Sequence, residues 1–435
     1  MRIIKSSNSN FQKNTDNKTQ LVLEFLTALI LIALPLQNIF VSIATIGFVV
    51  SSIFLKKERF NFKIAFLVPI LFFTIMAISL FWTKDFENSL SGLQKALTFL
   101  VVPVVFFVIP IFSKESLNRI FRLYSFAMVL YVILYITIAG INFSKTQNTN
   151  AFFYNNLVPE DPGAIYMSVF ASFALFYFVQ LNHRETIEKA ALSVVTLFLF
   201  LLSSKSIITV DFIIIVCYYA FFAKISSSTK MLTIVSVSLF LFCSIFFVKE
   251  VRERFIIEYE TAFVDNTLKN SLEKVTDKIH NVTVKEAWNS KQFHQDDFFP
   301  GTALRVYQAR IFKELLLEKK IFFTGFGIEA SQEQIRIKAK QNNLFYDYGE
   351  YNFLDQYIQT FAELGIFGFI VLVLMLFLNI KNAFTKKDFL HIAFAITMIM
   401  LFLSESFFCR QRGIVFFVLL FCLFNSSRND RSIKQ

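Results

Sequence analysis

GTALRVYQARIFKELLLEKKIFFTGFG (residues 301–327) and YNFLDQYIQTFAELGIFG (351–368) bracket the one long stretch beyond residues 1–20 that is too polar to sit in lipid. Almost everything on either side reads as apolar helix. That contrast decides the fold: an all-α, polytopic membrane bundle interrupted once by a water-exposed segment. Chemistry on a water-soluble group is expected to meet the chain there, because a bilayer core excludes exposed polar backbone and unpaired charge.

Composition points the same way. Of 435 residues, 55% are hydrophobic and only 17% charged, with 59 phenylalanines, whereas a soluble chain carries about a quarter of its residues as charges. The deficit is concentrated in apolar runs of about 12 to 24 residues, several of them near the roughly 20 residues that cross a hydrocarbon core. These fall at 21–34, 40–55, 63–82, 96–111, 117–140, 164–179, 190–202, 206–222, 231–248, 361–379, 389–403 and 413–424, about twelve spans. The fourth carries Pro103 and Pro110, which a membrane helix tolerates when neighbours re-satisfy the freed carbonyls.

Short-loop lysines and arginines alternate along this count. Segments 56–63 (Lys56, Lys57, Arg59, Lys63) and 380–388 (Lys381, Lys386, Lys387) are rich in them, and the loops around 36–39, 83–95, 141–162 and 404–412 are poorer. The positive-inside rule therefore predicts both termini in the cytoplasm and one large external loop between spans nine and ten. The expected organisation is a cytoplasmic tail (1–20), spans one to nine (21–248), an external segment (249–360), spans ten to twelve (361–424) and a second cytoplasmic tail (425–435). No removable signal peptide is read, since the first span itself directs insertion. Helices are expected over 251–263 and 304–319, the latter with Leu304, Ile311, Leu315 and Leu316 on one face. They should form a small helical cap folded over the bundle.

Some classes are set aside. The net charge of +11 sits mostly in short loops, not in a basic cluster interleaved with aromatics, so nucleic acid is not an expected partner. Cys217, Cys243, Cys409 and Cys422 lack CxxC spacing and read as packing residues. His183, His280, His294 and His391 show no ligand spacing, so no metal and no cofactor is expected.

The polar stretch also carries a series of motifs. Arg305 stands on a helix followed by Gly325-Phe-Gly327, then Asp355-Gln-Tyr-Ile-Gln359, then Glu363-Leu-Gly365 and Gly368. LQKALTFLVVP (93–103), DPGAIY (161–166), SSKS (203–206), VRERF (251–255) and SESFFCRQRG (404–413) accompany them in order. This series resembles the signature region of the O-antigen ligase and O-antigen polymerase family of bacterial membrane glycan transferases. That family has an arginine-bearing helix, a Gly-x-Gly turn, a His-Asn-x-Tyr-Leu-Gln type motif and Glu-x-Gly at the next helix. The resemblance implies transfer of a saccharide from undecaprenyl diphosphate to a sugar hydroxyl of lipid A core or a growing polysaccharide, at the periplasmic face of the inner membrane. Two positions depart from the pattern. Leu354 stands where the family has the histidine proposed as base in its ligase branch, and Asp161-Pro162 stands for the family's His-Pro.

Such a transfer needs stabilisation of a departing diphosphate and deprotonation of an incoming hydroxyl. Arginine suits the first task, because its planar fork binds phosphate oxygens bidentately and stays charged. Arg305 leads by motif and Arg412 follows, with Arg252 and Arg254 as further diphosphate ligands; Arg310 and Arg410 are also available. The plainer reading pairs Arg305 with acids of its own cap, and Arg252 and Arg254 with Glu250 and Glu253. For the base, Glu405, Asp355 and Glu363 are the candidates, beside Asp161; the plainer reading pairs Glu405 and Glu363 with Arg410 or Arg412. Asp211, inside a span, should face the bundle interior. A transporter or flippase of polysaccharide export, or an inactive scaffold of that complex, remain the competing readings, the latter because leucine cannot move a proton.

Overall fold

The computed structural model describes residues 20–54, 63–159, 161–223, 225–247 and 280–426, with isolated positions at 252, 256, 259, 260 and 262. Arg254 and most of the expected 251–263 helix lie outside the described residues. Among those described the chain is helical without a strand, apart from one isolated bridge between Asn281 and Phe298. The helices are α1 (Gln20–Ala33), α2 (Asn38–Phe54), α3 (Ile64–Ser79), α4 (Phe86–Ala96), α5 (Thr98–Val108), α6 (Lys114–Thr146), α7 (Ala164–Gln180), α8 (Thr186–Leu202), α9 (Lys205–Cys217) and α10 (Ser227–Phe247). After them come α11 (Val284–Asn289), α12 (Gly301–Glu318), α13 (Gln332–Gln341), α14 (Gln356–Lys386), α15 (Phe389–Leu401) and α16 (Gln411–Ser426).

Among the described residues four stretches are long and apolar enough to cross a membrane: Phe86–Val108, Lys114–Thr146, Lys205–Phe222 and Gln356–Lys386. Six shorter apolar helices accompany them. Several boundaries differ from the apolar runs for local reasons. The run at 96–111 is the second half of a helix that begins at Asp85, whose side chain accepts from Asn88 N–H and caps α4. Leu97, in αR geometry, joins α4 to α5. The run at 117–140 is extended at both ends, because Ser113 caps α6 and the helix continues until Gln147 turns left-handed. A cap fixes a helix start whatever the polarity of the first turn.

Two helices are enclosed by the rest. Along α7 every residue from Tyr166 to Val179 is buried, and along α16 every residue from Arg412 to Ser426. Phe173 of α7 meets Phe416 and Phe424 of α16 and Phe394 of α15 at 5.6–6.3 Å between ring centres, offset or edge-on as aromatic quadrupoles prefer. Helix α14 packs on α3 and α15, and α16 on α5.

Some polar groups inside this apolar bundle are paired with one another or with carbonyls, while Asp211 Oδ1, Asn379 Nδ2 and His391 Nδ1 have no hydrogen-bond partner among the described residues. Asp211 is buried as expected and accepts from Ser172 Oγ of α7. At the far end of α16, Lys63 Nζ donates to the carbonyls of Asn425 and Ser426, and Lys386 Nζ to that of Phe424. Cations there oppose the negative end of the helix dipole and satisfy its last carbonyls.

Residues 280–353 build a second, separate core. Tyr307, Ile311 and Leu315 of α12 close over Phe293, Phe299, Ile335 and Leu344. Leu304, Ile311 and Leu315 are buried on one face of this helix, as the periodicity predicts. Arg310 lies inside this core, with Nη1 donating to the carbonyls of Ala287 and Ser290 and the guanidinium over the Tyr307 ring at 5.1 Å.

Candidate active site

The Gly-x-Gly and Glu-x-Gly motifs form one structure. Helix α14 is broken at Gly365, where φ is 64° and ψ is −165°. The break leaves the carbonyls of Ala362 and Glu363 without their usual donors four residues on. Residues 322–327 supply replacements: Phe326 N–H donates to Ala362 O at 2.8 Å and Gly327 N–H to Glu363 O at 2.9 Å. Ile366 N–H in turn donates to Phe322 O at 2.8 Å. Main chain lies against main chain, which leaves no room for side chains. A Cβ on Gly365 would overlap the Phe323 carbonyl, and one on Gly325 (φ 66°) would overlap that of Glu363. Irregular backbone at the mouth of an apolar helix is tolerable only when so covered.

Beyond this junction Ile328–Ser331 runs along α3 and α4. Ile328 N–H donates to Ser79 Oγ, Ser89 Oγ donates to Ile328 O, and Lys95 bridges Glu329 at 3.1 Å. Beneath lies a pocket of about 380 Å³, counting its open mouth, lined by Met76, Glu329, Gln356, Gln359, Glu363 and Cys409 among others. Glu363 is 8% exposed and accepts from Gln359 Nε2 at 2.5 Å and Ser331 Oγ at 3.4 Å. Neutral donors hold it; neither Arg410 nor Arg412 does.

The 402–410 loop between α15 and α16 connects this pocket to a second group of polar side chains. Gln356 N–H donates to Phe402 O, and Gln356 Oε1 accepts from Phe408 N–H at 2.7 Å. Asp355 N–H donates to Ser406 Oγ, while the Asp355 carboxylate caps α14 at Ile358 N–H. Arg305 reaches the loop from α12: Nε and Nη2 donate to Ser404 O at 3.0 and 2.9 Å, and Nη1 to Gly301 O at 3.0 Å. Its partners are main-chain carbonyls, not the acids of its own segment. A guanidinium has five N–H groups, so these three bonds leave two without a partner among the described residues.

Arg410 and Arg412 are both held by Asp161, at 3.4 and 2.7 Å. Arg412 is fully buried and also donates to Leu34 O; its Nε has no partner. Arg410 is 46% exposed along its side chain, donates to Pro162 O and lies over the Tyr166 ring at 5.2 Å. Tyr166 stacks on Phe407 at 4.8 Å, and its hydroxyl donates to Phe407 O. The expected pairing of these arginines with Glu405 or Glu363 gives way to Asp161, brought in by the turn before α7.

Glu405 lies within electrostatic reach of both Arg305 and Arg410. Burial pushes its carboxyl above the ordinary carboxylate range, against the pull of the two arginines. Asp355 is raised for the same first cause, countered by the N–H groups of Ile358 and Tyr357 and by Arg305. Cys409 is raised well up by burial and then by Glu329, Glu363 and Glu405, so all three carboxylates lie within electrostatic reach of one thiol.

The structure therefore gathers Arg305, Asp355, Glu405, Arg410, Arg412 and Asp161 at one end of the bundle, with Glu363 in the adjoining pocket. Arg252 is described but exposed, with no partner shown among the described residues, and is not brought to this group. Arg410 ranked behind Arg412 by sequence, yet it is the more exposed of the two, at 46% against 0% along the side chain. Its signal was its place two residues before Arg412 in SESFFCRQRG. Leu354 takes a left-handed φ of 54° and packs against the second core. A scan against protein-family models and a search of curated proteins each found no match to the chain.

Proposed function

We propose that the protein transfers a saccharide from undecaprenyl diphosphate to a sugar hydroxyl, of lipid A core or of a growing polysaccharide, as O-antigen ligases and polymerases do. The observation that supports this reading is the half-buried carboxyl of Glu405 within electrostatic reach of both Arg305 and Arg410, on the loop to which Arg305 bonds at Ser404 and Asp355 at Ser406. Glu405 takes the proton of the acceptor hydroxyl, whose oxygen forms the new bond to the anomeric carbon. The bond from that carbon to the diphosphate breaks, and the diphosphate leaves with the electron pair. Arg410 and the two remaining N–H groups of Arg305 meet the growing charge on its oxygens. Arg412 and Asp161 position Arg410. In this reading about twelve spans cross the inner membrane, both termini are cytoplasmic, and the segment 249–360 is external, its described part, residues 280–360, capping the site.

The inactive-scaffold reading has one observation of its own: at the family's histidine position an aliphatic side chain is packed into the second core. Both readings are tested with the full chain reconstituted with undecaprenyl-diphosphate-linked saccharide and acceptor. Arg305→Ala and Arg305→Lys should each lower transfer by about ten- to a hundred-fold at unchanged abundance, because lysine keeps the charge and loses the fork. Glu405→Gln should remove the base outright. A scaffold transfers nothing in vitro, and in cells it supports glycan assembly equally well with or without Arg305 and Glu405.

A further inference from the structure

The junction of residues 322–327 with α14 is bordered by apolar side chains that face outward. Leu317 is 78% exposed, Phe322 46%, Phe323 63%, Phe81 89% and Trp82 36%. They form one edge. Phe322 and Phe323 lie 5.0 Å apart, and Phe323 lies 6.3 Å from Phe367 at the start of the apolar run of α14. Trp82 Nε1 donates to Thr324 O at 3.0 Å and ties the loop after α3 to the same turn. Phe367 is followed along α14 by Ile370, Val373, Leu374 and Phe377, all exposed. The edge is thus continuous with the outward apolar stripe of a helix long enough to cross a membrane.

Three lysines stand on its rim, Lys84, Lys319 and Lys320, all exposed. Of the acids nearby, Glu318 is bridged to Lys338 and Asp85 caps α4, which leaves Glu87. Aromatic side chains with lysines above them, on top of an apolar stripe, match a bilayer in cross-section: acyl chains, then the headgroup boundary where aromatic rings settle, then anionic phosphates. Long lysine side chains reach such phosphates while their stems stay against apolar surface.

We propose that residues 317–323, together with 81–84, form a membrane-interface anchor. It seats the segment above α14 on anionic phospholipid headgroups and fixes the Gly325–Gly365 junction at headgroup depth. This holds whether or not the protein transfers glycans.

The test uses the full chain in lipid nanodiscs of phosphatidylcholine with phosphatidylglycerol. The sequence has 2 tryptophans, Trp82 and Trp288; replacing both by phenylalanine gives a silent background. Phe323→Trp then reports on the anchor, and Tyr346→Trp, at a site 72% exposed in the same segment, reports on the water side. Lipid brominated near the headgroup end of its acyl chain should quench Phe323→Trp and spare Tyr346→Trp, and acrylamide should do the reverse. Lys319→Glu with Lys320→Glu should reduce lipid quenching in the phosphatidylglycerol discs and not in phosphatidylcholine alone. Should the background fail to fold, Trp288→Phe alone leaves Trp82 as reporter, and Phe322→Ser with Phe323→Ser should weaken its quenching. The proposal is overturned if Phe323→Trp is as open to acrylamide as Tyr346→Trp, or if bromine near the methyl end quenches it best. It is equally overturned if the charge reversal leaves quenching unchanged in the anionic discs.

Discussion

Gly365→Ala is the perturbation that asks most of this structure. The residue holds φ 64° and ψ −165°, a region that L side chains avoid at a cost of roughly 1–3 kcal/mol. The added methyl would overlap the Phe323 carbonyl and lie 2.8 Å from Thr324 N. Neither is the end of a flexible side chain, so the main chain itself must shift. Relief by displacement lengthens the bonds from Phe326 to Ala362, Gly327 to Glu363 and Ile366 to Phe322, each worth about 1 kcal/mol net and more where the freed groups stay buried. A loss of about 3–6 kcal/mol follows from these terms. The control is Gly140→Ala within α6, where a new Cβ meets nothing within 4 Å. Alanine in a helix interior is favoured there by roughly 0.5–1 kcal/mol. The assay is thermal unfolding of the full chain in detergent, followed by fluorescence-detected gel filtration. Gly140→Ala should match or exceed the native midpoint, and Gly365→Ala should fall well below it or fail to accumulate. Equal midpoints for Gly365→Ala and the native chain would refute the docking of the two main chains.

Arg412→Ala and Arg412→Lys should both lower the midpoint in the same assay, since the guanidinium holds Leu34 O and Asp161 together; a hydrogen bond to a charged group is worth about 1.5–3 kcal/mol. Asp161 is 60% exposed along its side chain and stays hydrated without a partner, whereas Asp161→Asn leaves the fully buried Arg412 charge uncompensated, so it too should lower the midpoint; an unchanged midpoint would contradict the pairing. Transfer activity should rise with pH through the raised value of Glu405, because the base must be ionised. Stability has the opposite sign: the folded state holds this proton more tightly than the unfolded chain, so the contribution falls as pH climbs from the ordinary 4.5 through the raised value. Glu405→Gln should abolish the activity and flatten that slope of unfolding midpoint against pH.

The apolar helices were legible because their signal is local: about a span's length of unbroken hydrophobic side chains. Their ends were less so where capping carries the helix past the apolar run, as Asp85 does for α4 and Ser113 for α6. Of the candidate site, Arg305, Asp355 and Glu405 do share one neighbourhood, and motif order alone had grouped them. The sequence does not display which partner each would choose. Arg412 and Asp161 are separated by about 250 positions, and nothing in either's surroundings names the other. Arg305 binds carbonyls, which every residue carries, so no residue type could announce it. The same holds for the Gly325–Gly365 contact, whose only trace is two glycine motifs that each read equally well as a helix stop.

That contact also has an order in time. Residues 322–327 leave the ribosome about 40 positions before 362–366, which at usual elongation rates is roughly 2–8 s. Through that interval the turn exists without the backbone it pairs with. The junction therefore closes late, after the helix that completes it has been made. A glycine lost there acts during biogenesis, when unpaired main chain is exposed to quality control, as well as on the finished fold. Its variants should differ in how much protein survives synthesis even where the survivors share one structure.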